Sequence, residues 1–266
     1  MKIHCFKYHG AGNDFILIDN RNQNIELSSN QVSFLCNRHI GIGADGLMLL
    51  NASEQNSFSM KYYNSDGYEG SMCGNGGRVI SKFATDLGIE SLRFDAVDGL
   101  HNSQLIENNQ AKALVEIQLC NVNKIETVAE NIFFLNTGSP HLVIFLDTKE
   151  SLNNYDVVTK GRSWRSDTRF VRGTNVNFVK ILNNNSIEIR TYERGVEDET
   201  LACGTGATAS ALAFSQISKN KTNEVDVFAR GGRLKVKFVE DKRGTYEKIS
   251  LTGEAEFVFE CYIDIK

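Results

Sequence analysis

The chain lacks most of the features by which protein classes are easily recognised. Its 266 residues hold one proline, Pro140, so turns fall to Gly, Asn and Asp. Apolar runs are short, Phe15 to Ile18 near the start and Leu142 to Leu146 elsewhere. Neither approaches the ~18 residues of a membrane span or forms the apolar centre of a secretory signal, so a cytoplasmic protein with no membrane partner is expected. Like charges form no long block, and 29 Lys and Arg against 33 Asp and Glu leave a net charge of −4. That balance offers no footprint for nucleic acid and favours a small polar ligand. No cysteines are spaced CxxC, which excludes zinc ribbons and thioredoxin-type redox motifs. The sequences G-x-x-x-x-G-K-[ST], H-E-x-x-H and G-x-S-x-G are also missing, which speaks against nucleotide hydrolysis, zinc proteolysis and serine esterase chemistry.

What is present is a globular composition, 41% apolar with 16 Phe and 8 Tyr. At roughly 150 residues per domain, the length fits two modest domains or one large one. In a reducing compartment the six cysteines, Cys5, Cys36, Cys73, Cys120, Cys203 and Cys261, are each either core filler or chemistry.

Internal similarity is the most informative feature. Alternating Phe58, Met60 and Tyr62 lead through a polar loop to Cys73-Gly74-Asn75-Gly76, and a helical pattern follows at Val79, Ile80, Phe83 and Leu87, ending at Gly88. Later, Ile187 and Ile189 lead to Tyr192-Glu193-Arg194-Gly195 and then Cys203-Gly204-Thr205-Gly206, followed by an Ala-rich helix through Leu212, Phe214 and Ile217. Gly12-Asn13-Asp14 before Phe15 to Ile18 has its counterpart in Gly138-Ser139-Pro140-His141 before Leu142 to Leu146. Two motifs repeated in order at about half the chain length predict a duplicated α/β unit with a boundary near residues 115 to 125. Gly41-Ile42-Gly43-Ala44-Asp45-Gly46 fits G-x-G-x-x-G, but a helix precedes it and a strand follows, the reverse of a dinucleotide site, so it reads as a tight turn.

Each Cys-Gly-x-Gly segment would set a thiol at a helix N-terminus, where unpaired N–H groups and the dipole favour thiolate. The glycines let backbone donors approach a carboxylate. If the duplicated halves face one another, Cys73 and Cys203 approach a ligand from opposite sides. One thiolate could then remove a proton while the other thiol donates one, inverting a carbon centre. Two inert thiols in packed helices are the bland alternative; the others are a two-thiol racemase acting on proline, hydroxyproline or a different amino acid, a non-catalytic anion-binding module and a redox pair. Arg194 is either an exposed partner of Glu193 or a bidentate clamp for a carboxylate.

The chain resembles the diaminopimelate epimerase family. The resemblance is carried by His9-Gly10-Ala11-Gly12-Asn13-Asp14-Phe15, Arg38-His39 through Gly46, Tyr63-Asn64-Ser65-Asp66-Gly67, Met72-Cys73-Gly74-Asn75-Gly76, Gly138 to His141, Thr174-Asn175-Val176-Asn177-Phe178, Tyr192 to Gly195 and Ala202-Cys203-Gly204-Thr205-Gly206. It implies an α/β (α+β) fold of two similar duplicated domains, each a mixed or antiparallel sheet around a central helix, with the active site in the cleft between them. The domains would be 1–119 and 120–256, the final strand, 257–266, returning to the first. Cys73 and Cys203 would be the acid and base that interconvert LL- and meso-2,6-diaminopimelate for lysine and cell-wall precursor synthesis, without cofactor or metal, in a homodimer. Gly74, Asn75, Gly76, Gly204 and Thr205 would hold the carboxylate at the reacting carbon. Asn13, Asn64, Asn175, Glu193 and Arg194 would read the distal end, and His141 with Glu193 would position the reacting group. Three positions depart from the family: Gly46 where some members carry Gln, Ser139 where many carry Asn, and Thr208 where some carry Cys. Gly46 is assigned only a turn.

Overall fold

Continuous apolar runs such as Phe15 to Ile18 and Leu47 to Leu50 suit strands covered on both faces, and all eight residues are buried. In the computed structural model, which describes residues 1–70, 72–147, 149–218 and 222–265, they lie side by side in parallel register. The chain divides into two compact units, Met1–Ile117 with Glu254–Lys266, and Gln118–Gly253.

The first unit contains β1 (Lys2–Gly10), β2 (Asn13–Asp19), α1 (Ser29–Cys36), β3 (Gly46–Asn51), β4 (Phe58–Asn64), β5 (Glu69–Gly70), α2 (Gly74–Asp86), β6 (Arg93–Ala96), β7 (Gly99–Asn108) and β8 (Lys112–Gln118). The second contains β9 (Glu126–Ala129), β10 (Ile132–Asn136), β11 (Pro140–Phe145), α3 (Val157–Arg165), β12 (Asn175–Asn183), β13 (Ser186–Glu193), β14 (Asp198–Thr200), α4 (Gly204–Ile217), β15 (Glu224–Ala229), β16 (Gly232–Glu240) and the start of β17 (Tyr246–Asp264), whose later residues belong to the first unit.

In the first unit the pairings close a ring: the later part of β17 joins β1, then β2, β3, β4, β6, β7 and β8 follow, and β8 returns to β17. Among the described residues, β2–β3 and β4–β6 are the parallel pairs of this ring. The second unit repeats it as β9, β10, β11, β12, β13, β15, β16 and the first part of β17, with β11–β12 and β13–β15 parallel. The stretch leading into β9 closes it, Leu119 donating to Ile249 and Val122 bridging Tyr246. Each ring is therefore a mixed barrel, and the architecture is α+β.

A barrel of this size is filled by a helix. α2 is buried from Gly74 to Ala84 and packs on β1, β2, β3 and β7. α4 runs through its own barrel with Ala207, Ala209, Ala211 and Ala213 wholly buried, short side chains that let strands approach from all round while favouring helix. The outer helices α1 and α3 have orthodox N-caps, a Ser28–Gln31 capping box and Asp156 accepting from Thr159 N. The enclosed helices begin instead at Cys73 and Cys203. Gly46, read above as a turn residue, opens β3 opposite Phe15 and Asn64. A Cβ there would lie 2.5 Å from the Tyr62 ring, so the packed tyrosine leaves no room for a side chain. Among the described residues no helix is long and apolar enough to cross a membrane.

Candidate active site

Cysteine is a poor N-cap by propensity, so its use at both enclosed helices is a local rule broken twice at equivalent places. In the first unit Cys73 is half-buried, and its Sγ accepts the Gly76 N–H at 3.2 Å. This is the cap bond a Ser would make, and it lets an orphan backbone donor stabilise thiolate. Gly76 keeps that approach open, since a Cβ there would stand 3.3 Å from the sulfur.

Asn75, almost fully buried, links outward and inward. Its Nδ2 donates to Asn13 Oδ1 at 3.3 Å, and its Oδ1 accepts from Arg78 at 2.9 Å. Asn13 Nδ2 in turn donates to Asp45 Oδ2 at 2.7 Å, and Arg38 bridges Asp45 and Asp14. Lys7 also pairs with Asp14, at 2.7 Å, and donates to the Gly43 carbonyl. Burial pushes the Asp14 carboxyl up, but the bonds and charges of Arg38 and Lys7 outweigh it and hold the group well below the usual carboxylate range. Asn13 and Asn75 are thus brought together in a fixed orientation. Among the described residues no side-chain bond joins Asn64 to them: it ends β4, and its backbone closes the turn to β5 through bonds with Gly67 and Tyr68.

In the second unit Cys203 is buried, with Thr205 Oγ1 3.4 Å from its sulfur. Thr205 Oγ1 lies 2.9 Å from His141 Nε2, and Ser139 Oγ lies 3.0 Å from the same nitrogen. His141 is wholly buried on β11, and its Nδ1 is 3.2 Å from Asn177 Nδ2. The direction of this chain can be deduced. Asn177 Nδ2 also donates to the Leu142 carbonyl, and Asn177 Oδ1 accepts from Thr191, so its amide orientation is fixed. His141 Nδ1 must then accept, which leaves the proton on Nε2, directed at Thr205 and Ser139. Burial, then the charge of Arg194, pulls His141 down to about 3, so it is neutral at physiological pH.

Asn175 donates to Ser139 Oγ and the Pro140 carbonyl, and its Oδ1 accepts the Arg194 N–H at 2.9 Å. The Arg194 guanidinium is tied to the Arg172 carbonyl, and Glu193 accepts from Thr200. Gly204 is buried and its carbonyl accepts from Thr208. The structure therefore gathers His141, Asn175, Arg194, Cys203, Gly204 and Thr205 on adjoining segments of one unit. Ser139, noted from sequence only as a departure from the family, belongs with them, and so does Asn177, which was not assigned a role. The signal for Asn177 was present, because Asn175 and Asn177 two apart on β12 share a face. Among the described residues no three His, Cys, Asp or Glu side chains are grouped to hold a metal ion.

Each of the two like units sets a cysteine at the start of the helix its barrel encloses, and the sequence relatives make the chain an isomerase of the epimerase class. The family model described as diaminopimelate epimerase matches residues 5–125 and 133–258, and the chain belongs to the diaminopimelate epimerase family. It is 45% identical over 97% of its length, and 99% of the relative's, to the diaminopimelate epimerase of Flavobacterium psychrophilum. The Chlorobaculum tepidum enzyme of that name is 40% identical over 94% of this chain and 97% of its own. Among solved structures, a Bacillus anthracis phenazine biosynthesis protein of the PhzF family covers both chains fully with a TM-score of 0.77 at 15% identity. A probable proline racemase from Agrobacterium radiobacter gives 0.71 at 13%, covering 99% of this chain and 93% of its own. At such identities these two speak for the fold.

Proposed function

We propose that the chain is a diaminopimelate epimerase that inverts one α-carbon of LL-2,6-diaminopimelate between Cys73 and Cys203, giving the meso form. The observation that carries this reading is the matched placement of the two thiols, each at the N-cap of a helix enclosed in a barrel of the same strand order. The thiolate of one cysteine takes the α-proton, and the electron pair of the broken C–H bond delocalises into the adjacent carboxylate. The thiol of the other gives its proton to the opposite face, so the two sulfurs exchange ionisation states and must return protons through solvent before the next turnover. Gly74, Asn75 and Gly76 with Gly204 and Thr205 meet the reacting carboxylate through helix N-terminal donors.

Asn13, Asn64, Asn175, Glu193 and Arg194 hold the distal amino acid end, whose binding energy aligns a very weak carbon acid between the sulfurs. The bonds that preset Asn13 and Asn175 support that role. Neutral His141 orients Thr205 rather than acting as a base, and Glu193 helps position the reacting group. No cofactor or metal enters this mechanism. The product serves lysine and cell-wall precursor synthesis, and the protein works in the cytoplasm as a homodimer.

The test is incubation of reduced protein with LL-diaminopimelate in D2O, followed by chiral separation and mass analysis. The meso isomer with one α-deuterium, formed by the protein and not by Cys73→Ala or Cys203→Ala, is expected. Absence of exchange by the reduced protein overturns the assignment.

A further inference from the structure

The two units differ at one buried position beside each cysteine. Five residues beyond each cysteine stands a side chain that donates to the carbonyl of the glycine following that cysteine: Thr208 Oγ1 to Gly204 O at 3.0 Å, and Arg78 to Gly74 O at 3.1 Å. The same backbone acceptor is thus served by a neutral hydroxyl in one unit and by a cation in the other. Arg78 is completely buried, and its second bond goes to the neutral Asn75 amide. Its Nε has no hydrogen-bond partner among the described residues. A buried cation that meets only neutral acceptors is expensive to keep unless a negative charge offsets it. Burial pulls the guanidinium down to about 10, and the charge that pulls it back is that of Cys73.

We infer that the two thiols are unequal before substrate arrives: Arg78 holds Cys73 as thiolate at neutral pH, while Cys203 stays a thiol. Arg78 is then a positioning residue that acts through Cys73. The inference rests on Cys73 and Cys203 being the acid and base proposed above, and it sets the free protein ready to remove a proton from the Cys73 side.

The surroundings of both sulfurs are consistent with this. Along α2, Lys82 pairs with Asp86, which also accepts from Tyr8 on β1, at the far end of the helix. Asp45 is bound by Arg38. Asp98 accepts from the backbone of Met72, opposing a thiolate next door, but it is partly exposed and shares a bond with His101. His9 on β1 is paired at most weakly, 4.0 Å from Glu256. Around Cys203 the buried His141 carries no charge. Arg194 is partly exposed and engaged by the Arg172 carbonyl, Arg190 on β13 is neutralised by Glu199 at 2.5 Å, and Tyr246 bonds to Ser215. The Thr205 hydroxyl can donate to Cys203, yet a neutral donor 3.4 Å away offers less than a whole charge in a dry interior.

The experiment measures ionisation and not turnover. The reduced full-length protein is treated with iodoacetamide at a series of pH values, and alkylation is followed at each cysteine by peptide mass spectrometry. Cys73 is expected to show a reaction midpoint at least about one pH unit below that of Cys203. Arg78→Met should raise the Cys73 midpoint by a similar amount and leave that of Cys203 in place, and Arg78→Lys should keep it low. Equal midpoints, a lower midpoint at Cys203, or an unmoved Cys73 midpoint in folded Arg78→Met overturns the inference. If Arg78→Met does not fold, the order in the wild type and a low midpoint in Arg78→Lys decide it. Failure of the D2O exchange with the midpoints as expected would sink the substrate assignment alone.

Discussion

At the scale of single residues, buried His141 in the second unit is engaged through both ring nitrogens. Its neighbours fix its tautomer, and burial keeps it neutral to about pH 3, against an ordinary value of 6.5. The unfolded chain takes up a proton at this residue below pH 6.5 and the folded chain does not. Stability from this group is therefore complete above 6.5 and falls as pH drops towards 3, at up to about 1.4 kcal/mol per pH unit. Urea unfolding between pH 7 and 4 should show a shallower loss for His141→Gln than for the wild type, and parallel curves would refute a neutral buried imidazole. The sequence announced the two thiols because duplication marks both, but it did not single out Arg78. The apolar pattern at Val79, Ile80, Phe83 and Leu87 describes a helix with one wet face, on which Arg78 and Lys82 would be ordinary solvated charges. A barrel that closes around the helix leaves no such face, and both side chains are fully buried. Ring closure depends on pairings far apart in sequence and is invisible to any local pattern.

At the scale of elements, the contrast between caps separates helices whose starts favour stability from helices that start at the proposed acid and base. Ser28 and Asp156 begin α1 and α3 in the way stability favours, whereas Cys73 gives α2 a weaker cap in exchange for a thiol. Replacing that sulfur by a hydroxyl should reverse the exchange. Because Cys73→Ser also removes the charge that offsets buried Arg78, the cap gain shows only where that cation is gone: Cys73→Ser with Arg78→Met is expected to be more stable than Arg78→Met alone by the few tenths to about 1 kcal/mol that a better cap contributes, while losing epimerisation. Thermal unfolding by circular dichroism beside the deuterium assay measures both. A double variant less stable than Arg78→Met would show that the Cys73 cap is not the compromise described here. Strand β3 marks where a local reading failed: Gly46 followed two glycines and read as part of their turn, yet the absence of a side chain serves the packing of Tyr62 against a strand.

At the scale of the whole molecule, the repeat of motifs was enough to indicate two like α/β units, since the same residues recur in the same order before the same kind of helix. The strand order was not legible, because parallel partners such as β4 and β6 are joined through a helix and matched only in three dimensions. The last strand carries the largest consequence. Residues of β17 from Glu254 onward pair with both β8 and β1, so a chain stopped after Gly253 should leave the first barrel open along two strands. Limited proteolysis of that truncated chain is expected to cut within 1–117 well before it cuts within 118–253, and equal resistance of the two parts would contradict it.

That dependence also imposes an order in time. As the polypeptide leaves the ribosome, the part made first holds its place with an unfinished sheet, while the part made second, 118–253, has all its strands as soon as it emerges. The oldest half of the protein is the last to be completed, and its Cys73 helix is fully enclosed only once residues 254–264 have emerged as well.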